Sequence, residues 1–127
     1  MRPLNLIIAG SRNIADTELV ERILNKVRSP IRHVISGDAR GIDNIGALWA
    51  ESRGITVIHM PALWDMHGKS AGYLRNVEMA KFAVGDPTLQ GALVAIWDGV
   101  SRGTKHMIDI AGEHQMKIWI PDINKFK

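Results

Sequence analysis

Residues 4–12 read LNLIIAGSR, a mostly apolar run that stops at a glycine and continues into a serine and an arginine. A short apolar run ended by glycine is typical of a β-strand that is buried on both faces. The run is too short for the hydrophobic region of a signal peptide. No stretch of the chain approaches the roughly 20 apolar residues of a membrane helix. Residues 4–9 therefore predict a buried strand with polar residues at its carboxyl end.

Apolar strands of this kind alternate along the chain with segments of helical period. The predicted strands cover residues 4–9, 33–36, 55–58, 92–97 and 117–120. The predicted helices cover residues 16–28, 43–53, 73–83 and 104–115, and residues 62–72 have no period and predict a long loop. This alternation predicts an α/β fold, namely a Rossmann-like three-layer domain with a mainly parallel five-stranded sheet. The connections are too short to separate two domains, so residues 1–127 are expected to form one.

The composition narrows the classes of function. Hydrophobic residues make up 46% and charged residues 23% of the 127 residues, as in ordinary globular domains, and there is no cysteine. The absence of cysteine excludes disulfides and thiolate metal ligands, and we expect a cytoplasmic protein. The five histidines have no metal-ligand spacing, so neither a metal nor another cofactor is expected. The scattered basic residues behind the net charge of +3 are compatible with an anionic ligand. They are weak support for a nucleic-acid partner, and no membrane partner is expected.

Apolar side chains on the helices predict core and contact positions. In the second helix we expect Ile45, Leu48 and Trp49 to face the core. Trp97 and Trp119 also occupy periodic apolar positions and are expected in the core. Further apolar helix positions are candidates for the interface of a symmetric dimer or tetramer, and they are Met79, Phe82, Met107 and Ile110. We therefore expect a homo-oligomer.

Glycine-rich polar loops follow the first four strands. Ligands of open α/β sheets bind beyond the carboxyl ends of the strands, where the strand order reverses. The candidate ligand-binding residues in these loops are Gly10, Ser11, Arg12, Ser36, Gly37, Arg40, Gly41, Asp43, Trp64, His67, Gly68, Lys69, Arg75, Asn76, Gly99, Ser101, Gly103 and Thr104. Glycines that end strands and cap helices would explain one such loop. Four loops that each mix glycine with Ser, Arg or Lys favour a ligand site.

The loop after the fourth strand has the residue types of an anion site. Gly99, Gly103 and Thr104 lie just before a helix, whose free N–H groups and positive dipole end favour an anion. The loop lacks the Gly-Lys-Ser/Thr of a P-loop. The glycine pattern of a dinucleotide fingerprint is also absent after the first strand.

Four other side chains have alternative roles. Arg75 suits two-point binding of phosphate, although a single Arg is often only a surface residue. Asp43 either caps the second helix or holds a ribose hydroxyl. Trp64 either stacks on a base or anchors its own loop. His67 either holds a phosphate or shuttles a proton, or is an ordinary loop histidine.

Four segments in this order carry a family resemblance, and they are GSR (10–12), SGDARGID (36–43), WDMHGKSAGYLRNVEM (64–79) and SRGT (101–104). They resemble the YspA (cpYpsA-related) branch of the SLOG superfamily, which includes the Smf/DprA proteins and the Lonely Guy phosphoribohydrolases. The resemblance implies a Rossmann-like fold and a nucleotide or nucleotide-derived phosphorylated ligand, bound by a sensor or sequestering module. Relatives usually have glycine where this chain has Asp38, which is expected to alter how closely a phosphate approaches.

The resemblance leaves enzymatic activity open. Lonely Guy enzymes combine an Arg, four residues before a Met, with a Glu three residues beyond their Gly-Thr. Arg75 and Met79 match the first element, but Met107 occupies the Glu position and cannot act as an acid or a base. Asp43, Asp65 or Glu78 could replace that Glu, and Arg75 and Asp43 are the candidate catalytic residues of an alternative function, hydrolysis or transfer at an N-glycosidic or phosphate bond of a nucleotide. A third alternative, single-stranded DNA binding by analogy with Smf/DprA, lacks a basic run or an aromatic stripe.

Overall fold

Five strands pair in parallel in the computed structural model, which describes residues 2–127. The strands are β1 (Leu4–Gly10), β2 (Ile31–Ser36), β3 (Thr56–His59), β4 (Gln90–Ile96) and β5 (Lys117–Trp119). The helices are α1 (Thr17–Leu24), α2 (Ile42–Ser52), α3 (Trp64–His67), α4 (Ala71–Val84) and α5 (Arg102–Glu113), with 3-10 turns at Gly68–Ser70 and Ile123–Phe126. The strand order is β3-β2-β1-β4-β5. The prediction of a Rossmann-like α/β fold with a parallel five-stranded sheet is confirmed.

Strand β1 lies at the centre of the sheet and contributes to both cores. It pairs with β2 on one side and with β4 on the other. Because side chains alternate along a strand, Leu6 and Ile8 pack with α1 and α2 on one face of the sheet. Ile7 and Ala9 pack with α4 and α5 on the other face. Burial on both faces explains why this strand is apolar at consecutive positions.

The strand order reverses between β1 and β4. The chain runs outward from β1 through β2 to β3, and then crosses back to place β4 on the other side of β1. The carboxyl ends of β1 and β4 lie side by side, with Gly10 opposite Ile96. The backbone N–H of Ser11 donates to the Ile96 carbonyl at 3.1 Å, and its hydroxyl accepts from the backbone N–H of Asp98 at 3.0 Å. A parallel sheet forms its ligand crevice at such a reversal.

One expectation about helix α2 is wrong. Ile45 and Trp49 are buried as predicted, but Leu48 is 58% exposed. At 100° per residue Leu48 lies on the outer face of α2 with Asn44 and Glu51, both of which are also exposed.

No helix formed by residues 2–127 has the length and the apolar content needed to cross a bilayer.

The stretch 62–72 is not the continuous loop that was predicted. It contains the one-turn helix α3 and the 3-10 turn Gly68–Ser70, and neither has a buried residue. Four residues with no buried side chain cannot produce an apolar period, so the sequence pattern had no signal for them. Helix α4 then begins at Ala71, two residues before the predicted start.

The apolar positions proposed for a subunit contact divide between core and surface. Met79 and Met107 are both 1% exposed and belong to the core beneath α4 and α5, so they are unavailable to a second copy. Phe82 is 41% exposed, and Ile110 is partly buried. Two expected core residues, Trp97 and Trp119, are only partly buried.

Candidate functional site

A cleft of about 220 Å³ opens at the carboxyl edge of the sheet, at the reversal between β1 and β4. Many of the candidate ligand-binding residues line it, and they are Gly10, Arg12, Asp43, Trp64, Lys69, Arg75, Asn76, Ser101, Gly103 and Thr104. They come from the end of β1, from the loop after β4 and from helices α2 to α5. Segments far apart in the sequence therefore converge on one site.

Other candidate residues lie beneath or beside the lining and shape its loops. The Ser36 hydroxyl is buried and lies 3.3 Å from the carbonyl of Asp43, to which it donates. Gly41 has a φ of 76°, and a Cβ there would lie 2.7 Å from the carbonyl oxygen of Arg12. Glycine is therefore required where the start of α2 crosses the end of the first loop. Ser11 is fully buried and joins the β1 and β4 loops, as described above.

Besides Ser11, Ser36, Gly37 and Gly41, four more candidate residues do not line the cleft. Arg40 is exposed. His67 lines a separate, mainly apolar groove beside α4. Gly68 and Gly99 are exposed and have φ values of 57° and 84°, so their conformations are ones that favour glycine.

The side chains of Arg75 and Asp43, which line the cleft, both lie next to Gly37. The Nη1 of Arg75 donates to the Gly37 carbonyl, and its Nε donates to Oδ1 of Asn76 at 3.0 Å. A Cβ on Gly37 would collide with the Arg75 guanidinium and would lie 2.8 Å from Oδ2 of Asp43. The glycine therefore makes room for a cation and a carboxylate at the same point.

Burial acts in opposite directions on these two charged groups. Asp43 is 5% exposed, and burial raises its pKa from 3.8 to about 6, although attraction to Arg75 and a hydrogen bond from the Ala39 N–H lower it. Burial also lowers the pKa of Arg75, against the attraction of Asp43. Arg12 and Lys69 line the same cleft, which therefore contains three cationic side chains and one carboxyl group.

Hydrogen bonds to Asp98 stabilise the loop between β4 and α5. The Asp98 carboxylate accepts from the backbone N–H groups of Val100 and Ser101, each at 2.8 Å. These hydrogen bonds, from Ser101 first and then from Val100, lower the pKa of Asp98. The hydroxyls of Ser101 and Thr104 lie 3.2 Å apart. Because the first N–H groups of a helix have no acceptor within it, the first turn of α5 offers donors at the cleft.

Asp38 adopts a backbone conformation that favours glycine. Its φ is 58°, which explains why a glycine is usual here among the proteins that the sequence resembles. Its backbone N–H donates to the Ser36 hydroxyl at 3.1 Å, and its carboxylate lies 3.2 Å from that hydroxyl and 2.7 Å from Nδ1 of His59. Asp38 does not line the cleft.

Some lining residues were not among the predicted ones. Tyr73, Gly72 and Ala39 line the cleft, together with Met79 and Met107. Tyr73 could have been found from helical spacing, since it lies three residues before Asn76 and therefore on the same side of α4.

Trp64 and Arg12 lie at the outer edge of the cleft. The Arg12 guanidinium lies 5.9 Å from the centre of the Trp64 ring, a cation–π contact, and Trp64 is 49% exposed.

Within residues 2–127 no three His, Asp or Glu side chains are grouped as metal ligands would be.

The fold and the cleft define a class of protein, an α/β domain with a cationic cleft at the reversal of its parallel sheet. The chain belongs to the YspA, cpYpsA-related SLOG family, whose family model matches residues 4–67. It is similar to the Gene 61 protein of Mycobacterium phage D29, with 37% identity over an alignment that covers 94% of each chain. No solved structure matches the chain. The family predicted from the sequence motifs is therefore confirmed.

Proposed function

We propose that the chain binds a nucleotide or a nucleotide-derived phosphorylated metabolite in this cleft, as a sensor or sequestering module. The observation that carries the proposal is the combination of three cations, Arg12, Lys69 and Arg75, with one buried carboxyl group, Asp43, along a single cleft. An excess of positive charge favours a phosphorylated ligand. Membership of a SLOG family is consistent with such a ligand.

The phosphate group is proposed to lie between Arg75 and the first turn of α5. A guanidinium has five N–H donors, and Arg75 uses one for the Gly37 carbonyl and one for Asn76. The other donors are available to phosphate oxygens as charge-assisted hydrogen bonds. Gly103 and Thr104, at the start of α5, also line the cleft and would supply backbone N–H groups.

The sugar and the base are proposed to extend from the phosphate towards Asp43 and Trp64. Asp43 provides an acceptor for a ribose hydroxyl, and the half-exposed ring of Trp64 offers a surface for a base. The cleft holds about 220 Å³, which is below the roughly 300–1,000 Å³ of sites that enclose a drug-sized ligand. A ligand of nucleotide size would therefore leave its base at the outer edge.

Binding without turnover is favoured by Met107. This residue lines the cleft and is 1% exposed, at the position where the Lonely Guy enzymes have a Glu. Its thioether has no proton to transfer. A module that holds its ligand unchanged needs no such group.

A thermal-shift panel tests the proposal. Ligands that bind only the folded state raise the Tm of the protein. A free ligand concentration of 100 times Kd stabilises the folded state by about 2.7 kcal/mol. The panel contains adenine and guanine mono-, di- and triphosphates and ADP-ribose, with adenosine as the control that lacks phosphate. We expect at least one phosphorylated ligand to raise Tm and adenosine to have little effect. If no member raised Tm, with the protein shown ligand-free by mass spectrometry, the proposal would be rejected.

A second candidate function, hydrolysis of a nucleotide, is favoured by Asp43. Its pKa of about 6 gives a carboxyl group that can hold and release a proton near neutral pH, beside Arg75 in the cleft. In N-glycosidic hydrolysis the bond between the ribose carbon and the base would break as the base took a proton from Asp43, and water would add as a hydroxyl to that carbon and return its other proton to the Asp43 carboxylate. Chromatography of AMP or ADP-ribose incubated with the protein measures this. Release of free base that stops in Asp43→Asn would support hydrolysis, and unchanged nucleotide after hours would exclude it for these substrates.

A homo-oligomer is proposed from a different surface. Leu63 and Leu74 are 51% and 46% exposed and line an apolar groove of about 250 Å³ beside α4, with Met66 nearby in sequence and 73% exposed. Exposed apolar clusters of this kind favour contact with a second copy. Light scattering at micromolar concentration should give at least a dimer, and Leu74→Glu should give a monomer. A wild-type protein that is monomeric would remove the proposal.

A further inference from the structure

A chain of hydrogen bonds leads from α5 through Asn76 to the cleft arginine. The Asn76 side chain is 5% exposed and uses both ends of its amide. Its Nδ2 lies 3.2 Å from the Gly103 carbonyl and 3.1 Å from Nδ1 of His106. Its Oδ1 accepts from Nε of Arg75 at 3.0 Å. His106 itself does not line the cleft.

The partners of Asn76 determine which way its amide points. The Gly103 carbonyl can only accept a hydrogen bond, so the NH₂ group must face it. The Nε–H of Arg75 can only donate, so Oδ1 must face it. Nδ1 of His106 lies on the NH₂ side, 3.1 Å from Nδ2. It must therefore be the acceptor, which places the proton of a neutral His106 ring on Nε2.

The surroundings of His106 favour this neutral form. The ring is partly buried, and burial lowers its pKa below the usual 6.5, although Asp109 and Glu113 on the same helix oppose the shift. From α4 the ring faces the Asn76 amide and the edge of Tyr73, whose ring centre is 4.6 Å away.

We propose that His106 is a positioning residue of the cleft, whose unprotonated Nδ1 holds the Asn76 amide in the orientation that aligns the Arg75 guanidinium. Protonation of Nδ1 would place an N–H against the Asn76 NH₂ group, and the two would have to separate. Arg75 would then lose the fixed acceptor of its Nε–H. The effect on ligand affinity rests on the proposed function, whereas the effect on Arg75 does not.

Nuclear magnetic resonance of the ligand-free protein tests the network directly. The Arg75 Nε–H and the Asn76 NH₂ signals are followed from pH 8 to pH 5, together with the ring protons of His106. We expect the Asn76 NH₂ and His106 ring signals to shift with one midpoint, and the Arg75 Nε–H signal to respond at that midpoint in addition to its response to Asp43, which titrates near pH 6. Protection of the Arg75 Nε–H against exchange with water, taken relative to the intrinsic exchange rate at each pH, should fall below that midpoint. If the Arg75 and Asn76 signals did not change at the midpoint of the His106 titration, the inference would be overturned, whether or not any nucleotide binds.

Two variants separate hydrogen bonding by His106 from packing of its ring. His106→Asn places an oxygen acceptor near the position of Nδ1, whereas His106→Phe keeps a ring against Tyr73 and has no acceptor. Calorimetric titration with ADP-ribose is the assay, because its diester phosphates stay ionised from pH 8 to pH 5.5. At pH 8 we expect His106→Phe to bind about 3- to 10-fold more weakly than wild type, the range for one neutral hydrogen bond. His106→Asn should stay within about twofold of wild type.

The pH profiles provide the second comparison. Protonation of Asp43 removes a negative charge from the cleft at acid pH and strengthens anion binding, which opposes the effect of His106. The wild type should therefore lose affinity at acid pH relative to His106→Asn. Equal profiles, or a His106→Phe variant as tight as wild type, would overturn the inference. If wild-type protein bound no ADP-ribose at millimolar concentration, the proposed function would fail for this ligand, and the resonance titration would still decide the role of His106.

Discussion

The start of α5 offers a substitution that separates ligand binding from folding. Gly103 is the second residue of this helix and lines the cleft. Beyond its chain neighbours and the adjacent backbone of α5, a Cβ at this position would meet no heavy atom of residues 2–127 within 4 Å, and its φ is not in the left-handed region. Gly103→Ala should therefore fold normally while placing a methyl group beside the helix N–H groups.

The expected effects on stability and on binding have opposite signs. Replacing glycine by alanine inside a helix stabilises it by at most about 1 kcal/mol, and less near a helix end. For a domain of this size the gain corresponds to at most about 4 °C in Tm. A ligand phosphate held by the N–H groups of Gly103 and Thr104 would have to withdraw from the new methyl group. The loss of such charge-assisted hydrogen bonds, about 1.5–3 kcal/mol, corresponds to about 10- to 150-fold weaker binding.

Gly112→Ala is the matched control. Gly112 is the second-last residue of the same helix, and within residues 2–127 a Cβ there also meets no heavy atom beyond its chain neighbours and the adjacent helix backbone within 4 Å. It should raise Tm by a similar amount and leave ADP-ribose affinity unchanged. Thermal unfolding and calorimetric titration of the two variants are the assays. Equal affinity of Gly103→Ala and Gly112→Ala would refute phosphate binding at the start of α5.

Three further predictions concern charges and backbone strain. Arg75→Ala should weaken nucleotide binding by about 1.5–3 kcal/mol, and Arg75→Lys should restore only part of it because an ammonium cannot make the planar two-point contact. Unchanged titration curves for both variants would exclude phosphate binding by Arg75. Asp43 has a pKa of about 6 instead of 3.8, so its ionised form destabilises the fold by about 3 kcal/mol. The stability that the protonated Asp43 carboxyl group contributes is fully present below pH 3.8, and it is lost as pH rises through about 6. In urea unfolding from pH 4 to pH 8, the free energy of unfolding of Asp43→Asn should not show this decrease. Wild-type and variant free energies that changed in parallel with pH would contradict the prediction. Since Asp38 has a φ of 58°, Asp38→Gly should be more stable than Asp38→Ala by about 1 kcal/mol in the same assay. Equal stability would show that the backbone is not strained there.

The apolar pattern of the sequence was sufficient to predict the secondary structure that builds the sheet. A strand covered on both faces must be apolar at consecutive positions, and residues 4–9 therefore indicated a buried strand without reference to the rest of the chain. Met107 could likewise be assigned to the position of a family Glu by counting from Gly103 and Thr104. These predictions depend only on residues that are close in sequence.

The tertiary structure decided which strand-end residues reach the cleft. Ser36 is the last residue of β2 and Ser101 lies in the loop after β4, yet Ser36 is buried against Asp43 and Ser101 lines the cleft. Arg40 is exposed, whereas Arg75 lies over Gly37. The direction of a loop side chain depends on the elements packed beside it, and that packing follows from the reversal of strand order between β1 and β4.

The proton affinity of Asp43 and the contact between Asn76 and His106 also belong to the tertiary structure. Asn76 and His106 are 30 residues apart in the chain and meet only because α4 packs against α5. Asp43 has an ordinary aspartate side chain in the sequence, and its pKa is raised because the fold removes it from water beside Arg75. The sequence determined which chemical groups the chain contains and the period that folds them into strands and helices. Their distances and their burial, which control proton affinity and hydrogen bonding, arise from packing between elements that no local pattern encodes.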